Sequence, residues 1–191
     1  MEAALEQLLL KLLGDIEFQI IRFQGKADLL KLAPARLKGY ASWLPPDWRI
    51  LVLVDRDLDD CVALKSKLEN IAAQSGLRTK TAVGLGRTFQ VVNRIAVEEL
   101  EAWFFGDWEA VQAAYPRVPM SVPKKAGFRD PDAILGGTSE ALERIFKNAG
   151  YFSTGIRKLE LARQVAKEME IARNRSRSFQ AFVGAVQAAM T

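Results

Sequence analysis

Residues 50–54, Ile-Leu-Val-Leu-Val, form an unbroken apolar run that ends in Asp55. A strand that is apolar at every position has no face to give to water, so it belongs in a sheet covered on both sides, as parallel sheets are. Such a sheet needs helices around it, and the flanking sequence supplies them. Ala4, Leu5, Leu8, Leu9 and Leu12 recur at helical spacing over residues 3–13, and Gly14 ends the pattern. A helix over about 27–40 follows Gly25-Lys26, with Pro34 able to kink or delay it. Another spans about 60–74 and stops at Gly76. Further strands are predicted at 16–23, 78–83 and 89–97, with a turn at 84–87 and a loop at 43–48. Helices are then predicted from 98 to 105 and, capped by Asp107, on to Tyr115.

Residues 116–138 carry four of the seven prolines and read as a loop and an internal boundary. Helices follow at 139–148, with Thr138 or Ser139 as cap, at 156–169 and at 178–190. Strands alternating with helices, then helices alone, predict an α/β fold. Its mostly parallel sheet is flanked by helices and carries a helical C-terminal extension. A length of 191 residues suits one domain, divided into a core at 1–115 and a loop-and-helix extension at 116–191 packed on it.

The chain has no histidine and a single cysteine, Cys61. That excludes Ser-His-Asp and Cys-His catalysis, His-ligated zinc, cysteine-cluster metal sites and a disulfide within the chain. Any catalysis here runs on carboxylates, lysine, arginine, hydroxyls or oxygen-ligated metal ions. Nothing approaches the ~20 apolar residues of a membrane span. The acidic start, Met1-Glu2-Ala3-Ala4-Leu5-Glu6, is unlike a signal peptide, so a cytoplasmic location is expected. Residues 1–119 hold 15 basic and 16 acidic side chains, whereas residues 120–191 hold 12 and 7. The basic C-terminal third permits a polyanionic partner and equally suits an ordinary solvated surface.

Asp55, Asp57, Asp59 and Asp60 crowd the C-terminal end of the apolar strand, the edge at which open α/β sheets bind ligands. Clustered carboxylates suit a hard cation, Mg²⁺ or Mn²⁺. In an extended segment Asp55 and Asp57 point the same way and could share one ion, with Asp59 and Asp60 capping the next helix or binding water around the ion. The same four acids also suit a solvated turn. Glu98 and Glu99 end the neighbouring strand; they suit either a helix start or a metal centre shared with the aspartates. Lys158 could contact a phosphate or be a surface lysine. Arg173, Arg175 and Arg177, among hydroxyl and amide neighbours, suit contacts to a nucleic-acid backbone, while Ser178 alone suits a helix cap. Trp103 and Trp108 read as packing residues, and Cys61 as packed under the strand end.

Taken in order, these segments resemble a known family. They are Gly25-Lys26, Val54-Asp55-Arg56-Asp57-Leu58-Asp59-Asp60-Cys61, residues 95–103 (Ile-Ala-Val-Glu-Glu-Leu-Glu-Ala-Trp), Gly136-Gly137-Thr138, Arg157-Lys158, Asn174-Arg175-Ser176 and Ser178-Phe179. The sequence is similar over nearly its whole length to the bacterial domain-of-unknown-function 4276 proteins, considered Toprim-like. Toprim domains occur in topoisomerases, primases and nucleases of the overcoming-lysogenization-defect type, and use Mg²⁺ on carboxylates. The resemblance implies that Asp55 and Asp57 are the paired metal aspartates, that Glu98 or Glu99 is a further acid, and that Lys158 lies near the metals. It further implies an AAA-type ATPase partner and a role in phage defence. In one respect the chain departs from its relatives: they carry an apolar strand and an acidic turn, roughly Val-Glu-Glu-Pro-Ser, ahead of the position of Met1. The glutamate of that turn is the expected metal ligand and general acid or base. A sheet lacking that strand has an open edge that invites pairing with another chain, so a homo-oligomer is also possible.

The expected function is therefore a Mg²⁺- or Mn²⁺-dependent phosphodiester hydrolase or nuclease. The rival is a non-catalytic nucleic-acid or partner-binding module that keeps the Toprim shell, and a third reading is an acidic surface used only for assembly.

Overall fold

The computed structural model describes residues 1–84, 86–152, 155 and 157–191. Its elements run α1 (Glu2–Leu13), α2 (Lys26–Ala41), β1 (Ile50–Asp55), α3 (Cys61–Gln74), α4 (Lys80–Val83), β2 (Val91–Ala96), α5 (Glu101–Gly106), α6 (Trp108–Ala114), α7 (Thr138–Asn148), α8 (Lys158–Glu168) and α9 (Arg177–Ala189). Three single 3-10 turns occupy the proline-rich stretch between α6 and α7.

β1 and β2 pair in parallel, in register from Ile50 against Val91 to Asp55 against Ala96. The side-chain period of two then divides the apolar run between two layers. Val52 and Val54 join Ile95 under Leu29 and Ala33 of α2 and Leu64 and Leu68 of α3. Leu51 and Leu53 pack on the opposite side, against the large core that joins α1 to α5–α9. Phe89, Val92 and Ala185 seal α9 onto that same side. α1 lies along α8, and Lys11 fixes the pair by donating to the carbonyls of Lys167 (2.6 Å) and Met169 (2.7 Å) at the end of α8. The C-terminal helices therefore bury the sheet face that β1 and β2 cannot cover themselves.

Two predicted strands are corrected. Residues 16–23 form no strand: Ile16 and Phe18 stand exposed, so their alternation has no face to bury. Residues 78–83 contribute only a bridge from Thr79 to Val91. The Thr79 hydroxyl accepts from the Ala82 N–H (3.2 Å), capping the short helix α4 and turning the chain away from the sheet. Among the described residues the sheet thus has two strands, a smaller one than the alternation predicts. Pro34 lies within a continuous α2, and α8 begins at Lys158 rather than at 156. Leu85 of the predicted turn and Ile156 of the predicted helix lie outside the described residues.

Candidate functional site

Both strands end at the same level, and the loops that leave them are tied together. The Arg56 N–H donates to the Ala96 carbonyl and the Asp57 N–H to the Glu98 carbonyl, each at 2.9 Å. The Arg56 guanidinium forms an ion pair with the Glu98 carboxylate. Asp57 (φ 50) and Glu98 (φ 62) both take the left-handed backbone conformation, which turns the chain out of the extended course of each strand. This bend breaks the period-two argument at Asp57. Its carboxylate turns to Lys26 at the start of α2 (2.8 Å), which also binds Asp59 (2.7 Å) and the Arg56 carbonyl (2.8 Å). Burial pulls the Lys26 pKa down, but the two aspartates outweigh it and hold it above its ordinary value.

The remaining predicted acids have separate tasks. Asp60 caps α3, accepting from the Ala63 N–H at 2.8 Å. Glu99 reaches across to the start of α7, where one carboxylate oxygen accepts from the Ser139 N–H (3.0 Å) and the Thr138 hydroxyl (3.2 Å). The N-cap of α7 is Gly137, and Glu99 supplies the acceptor that a Thr138 or Ser139 cap was predicted to provide. Asp55 differs from all of these. Its Oδ1 is buried and has no hydrogen-bond partner among the described residues. Burial, reinforced by the Glu101 charge, pushes its pKa up to about 7. Glu101 opens α5 and is itself raised, by burial first and by Glu99. Lys158 Nζ, at the start of α8, lies 3.8 Å from Glu101 Oε1.

Asp55 and Glu101 are thus two partly buried carboxyl groups whose burial favours the protonated form, with Lys158 beside Glu101. Lys26, Arg56 and Glu101 had no assigned role in the sequence reading, though Gly25-Lys26 and residues 95–103 stood among the segments carrying the resemblance. Among the described residues no three Asp, Glu or Cys side chains converge on one point. The orphaned Asp55 Oδ1 and the oxygen-only donors nevertheless fit Mg²⁺ or Mn²⁺, because Mg²⁺ binds through one or two carboxylates and keeps several of its waters.

Arg173, Arg175 and Arg177 do not act as a unit. Arg173 holds the fully buried Asp107 through Nε (2.6 Å) and Nη2 (3.1 Å). Arg175 and Arg177 are exposed, the latter 3.9 Å from Asp130. The residues between them are structural. Asn174 donates to the Trp103 carbonyl (2.8 Å), and Ser176 caps α9 while it and Ser178 bond Asp132 (2.7 and 2.8 Å). Trp103 is buried with Nε1 on the Ser178 hydroxyl, and Trp108 is buried as well.

Fold and site together define an α/β protein with a small parallel sheet between helical layers and carboxylates gathered at its strand ends. The family model described as "Domain of unknown function (DUF4276)" matches residues 1–187, and the chain belongs to that family. No curated protein and no solved structure matches it. Among the described residues, no helix is long and apolar enough to cross a membrane.

Proposed function

We propose that this chain is a Mg²⁺- or Mn²⁺-dependent phosphodiester hydrolase of Toprim type, a nuclease subunit acting on nucleic acid. The observation that carries this reading is the buried, unpartnered Oδ1 of Asp55 beside Glu101 at the C-terminal end of the parallel strands. A divalent ion there would offset the mutual repulsion of the two carboxylates and supply Lewis-acid stabilisation of charge on a phosphoryl oxygen. Asp55 and Glu101 would hold the ion, with Asp57, Asp59, Asp60, Glu98 and Glu99 fixing the surrounding loops. Lys158 would offset charge on the scissile phosphate, and Arg175 and Arg177 would contact the backbone. An AAA-type ATPase partner and a phage-defence role rest on the family resemblance.

The ion pairs of Asp57 and Asp59 with Lys26 favour a second reading, a nucleic-acid or partner-binding module without turnover, because they leave few acids for a second ion. Calorimetric titration with Mn²⁺ and Mg²⁺, alongside cleavage of single- and double-stranded DNA and RNA, separates the two. Metal binding and cleavage that both vanish in Asp55→Asn support the hydrolase. Salt-sensitive nucleic-acid binding without metal binding or cleavage supports the module.

A further inference from the structure

A second concave site lies at the opposite end of the strands, where β1 and β2 begin. It is a cavity of about 370 Å³ whose lining includes Arg49, Lys80, Arg87, Phe89 and the last residue, Thr191, and among the described residues contains no Asp or Glu side chain. Lys26, by contrast, has two aspartates and Arg173 has Asp107, Glu109 and Glu170, while Lys11 and Arg94 donate to backbone carbonyls. Among the described residues, Arg49, Lys80 and Arg87 form no such ion pair.

Two of these cations are also held in place. Arg49 and Lys80 each stand 5.8 Å from the centroid of the buried Phe89 ring, and Arg49 Nη1 donates to the Pro46 (2.7 Å) and Trp48 (2.9 Å) carbonyls. Gly84 (φ 78) and Gly86 (φ 71) are also among its lining residues, and no described atom lies within 4 Å of where a Cβ would stand on either. Unmatched like charges held together cost electrostatic energy, which a bound anion removes. Arginine in particular offers the planar donor fork that suits phosphate oxygens. The volume falls within the range of small-molecule sites, roughly 300–1,000 Å³.

We propose that this cavity is a phosphate-binding site, separate from the acidic strand ends, that takes the phosphoryl group of a nucleotide or of a nucleic-acid strand. It does not depend on metal chemistry at Asp55.

The test is calorimetric titration of the intact chain in low-salt buffer with EDTA, using pyrophosphate, a mononucleotide and a single-stranded oligonucleotide as probes. The variants are Arg87→Gln, on the exposed turn, and the triple Arg49→Gln, Lys80→Gln, Arg87→Gln, with circular dichroism as the check on folding. With the oligonucleotide titrated against chains that also carry Arg175→Ala and Arg177→Ala, the expected result is at least fivefold weaker binding in Arg87→Gln, loss of binding in the triple variant, and unchanged binding in Asp55→Asn. Binding of the small probes identifies a nucleotide as the source of the phosphate; binding of the oligonucleotide alone identifies a polynucleotide. Failure of all three probes to bind the wild-type chain, or equal binding by wild type and the folded Arg87→Gln variant, would overturn the proposal. Neither result bears on cleavage at Asp55, which requires the metal that EDTA removes.

Discussion

The Asp57 N–H and the Glu98 carbonyl, 2.9 Å apart, join two residues that both hold left-handed backbones. That conformation costs an L-residue other than glycine roughly 1–2 kcal/mol. Here it steers the chain out of each strand. Glu98→Ala and Glu98→Gly both remove the ion pair to Arg56, but only glycine relieves the backbone. The glycine variant is expected to be more stable than the alanine variant by about 1 kcal/mol, read as a difference in urea midpoints. Equal midpoints would show that the positive φ is not strained.

Burial and the neighbouring Glu101 raise Asp55 from 3.8 to about 7. The folded chain therefore keeps a proton at Asp55 that the unfolded chain has lost between about pH 4 and pH 7, and the contribution of this group to stability falls as pH rises through that window. Glu101 shifts in the same direction and adds to the slope. Asp55→Asn cannot ionise, so it is expected to flatten the dependence and to exceed wild type at pH 8 by on the order of 2 kcal/mol. Urea melts at pH 4, 6 and 8 measure this; a wild-type chain that gains stability from pH 4 to pH 8 at the same slope as the variant would refute it.

On the proposed function, a divalent cation bound at Asp55 is expected to reverse this penalty. At pH 8, Mn²⁺ at a hundredfold excess over its dissociation constant is expected to stabilise the wild-type chain by about 2.7 kcal/mol. The rise in melting temperature should disappear in Asp55→Asn and shrink in Glu101→Gln. It should persist in Asp60→Ser, because the α3 cap can be kept by a serine hydroxyl. A rise of equal size in all four proteins would place the ion elsewhere.

Strand β1 and the acids at its end are legible in the sequence because an apolar run has few alternatives and an open α/β sheet collects ligands at one edge. What each acid does there is not, because it depends on partners far along the chain. Lys26 claims Asp57 and Asp59 from 30 or more positions upstream, and Glu99 caps a helix that starts at Thr138. Nothing local to Glu99 marks that contact. The alternation at residues 16–23 misled for the converse reason: it satisfies strand periodicity without a neighbouring strand to pair with. The helices at 2–13, 61–74 and 177–189 were readable to within a residue or so because apolar spacing and stop signals agree there. Arg173, Arg175 and Arg177 look alike in sequence, yet one is an internal counter-ion and two are surface charges.

That last contrast yields a separable pair of outcomes. The Asp107 side chain is fully buried and accepts from Arg173 and from the Glu170 N–H (2.8 Å), so it fixes the loop after α8 to the junction of α5 and α6. Gly106, one residue earlier, leaves room for Asn174: a Cβ there would lie 2.0 Å from Asn174 Oδ1 and 2.9 Å from the Ser176 backbone nitrogen. Removing one partner of such a buried pair typically costs about 3–5 kcal/mol. Crowding a packed backbone costs roughly 1–3 kcal/mol. Arg173→Ala and Gly106→Ala are therefore expected to lower stability by those amounts and to leave nucleic-acid affinity unchanged wherever the protein remains folded. Arg175→Ala with Arg177→Ala should do the reverse. Stability should stay within about 0.5 kcal/mol, because both side chains are exposed. The dependence of affinity on salt should become shallower by roughly two units of slope, since each phosphate contact contributes about 0.9. Urea melts and fluorescence-anisotropy titrations at three salt concentrations read both quantities on the same preparations. A loss of affinity in Arg173→Ala at full stability would make that arginine a contact residue and undo its assignment to Asp107.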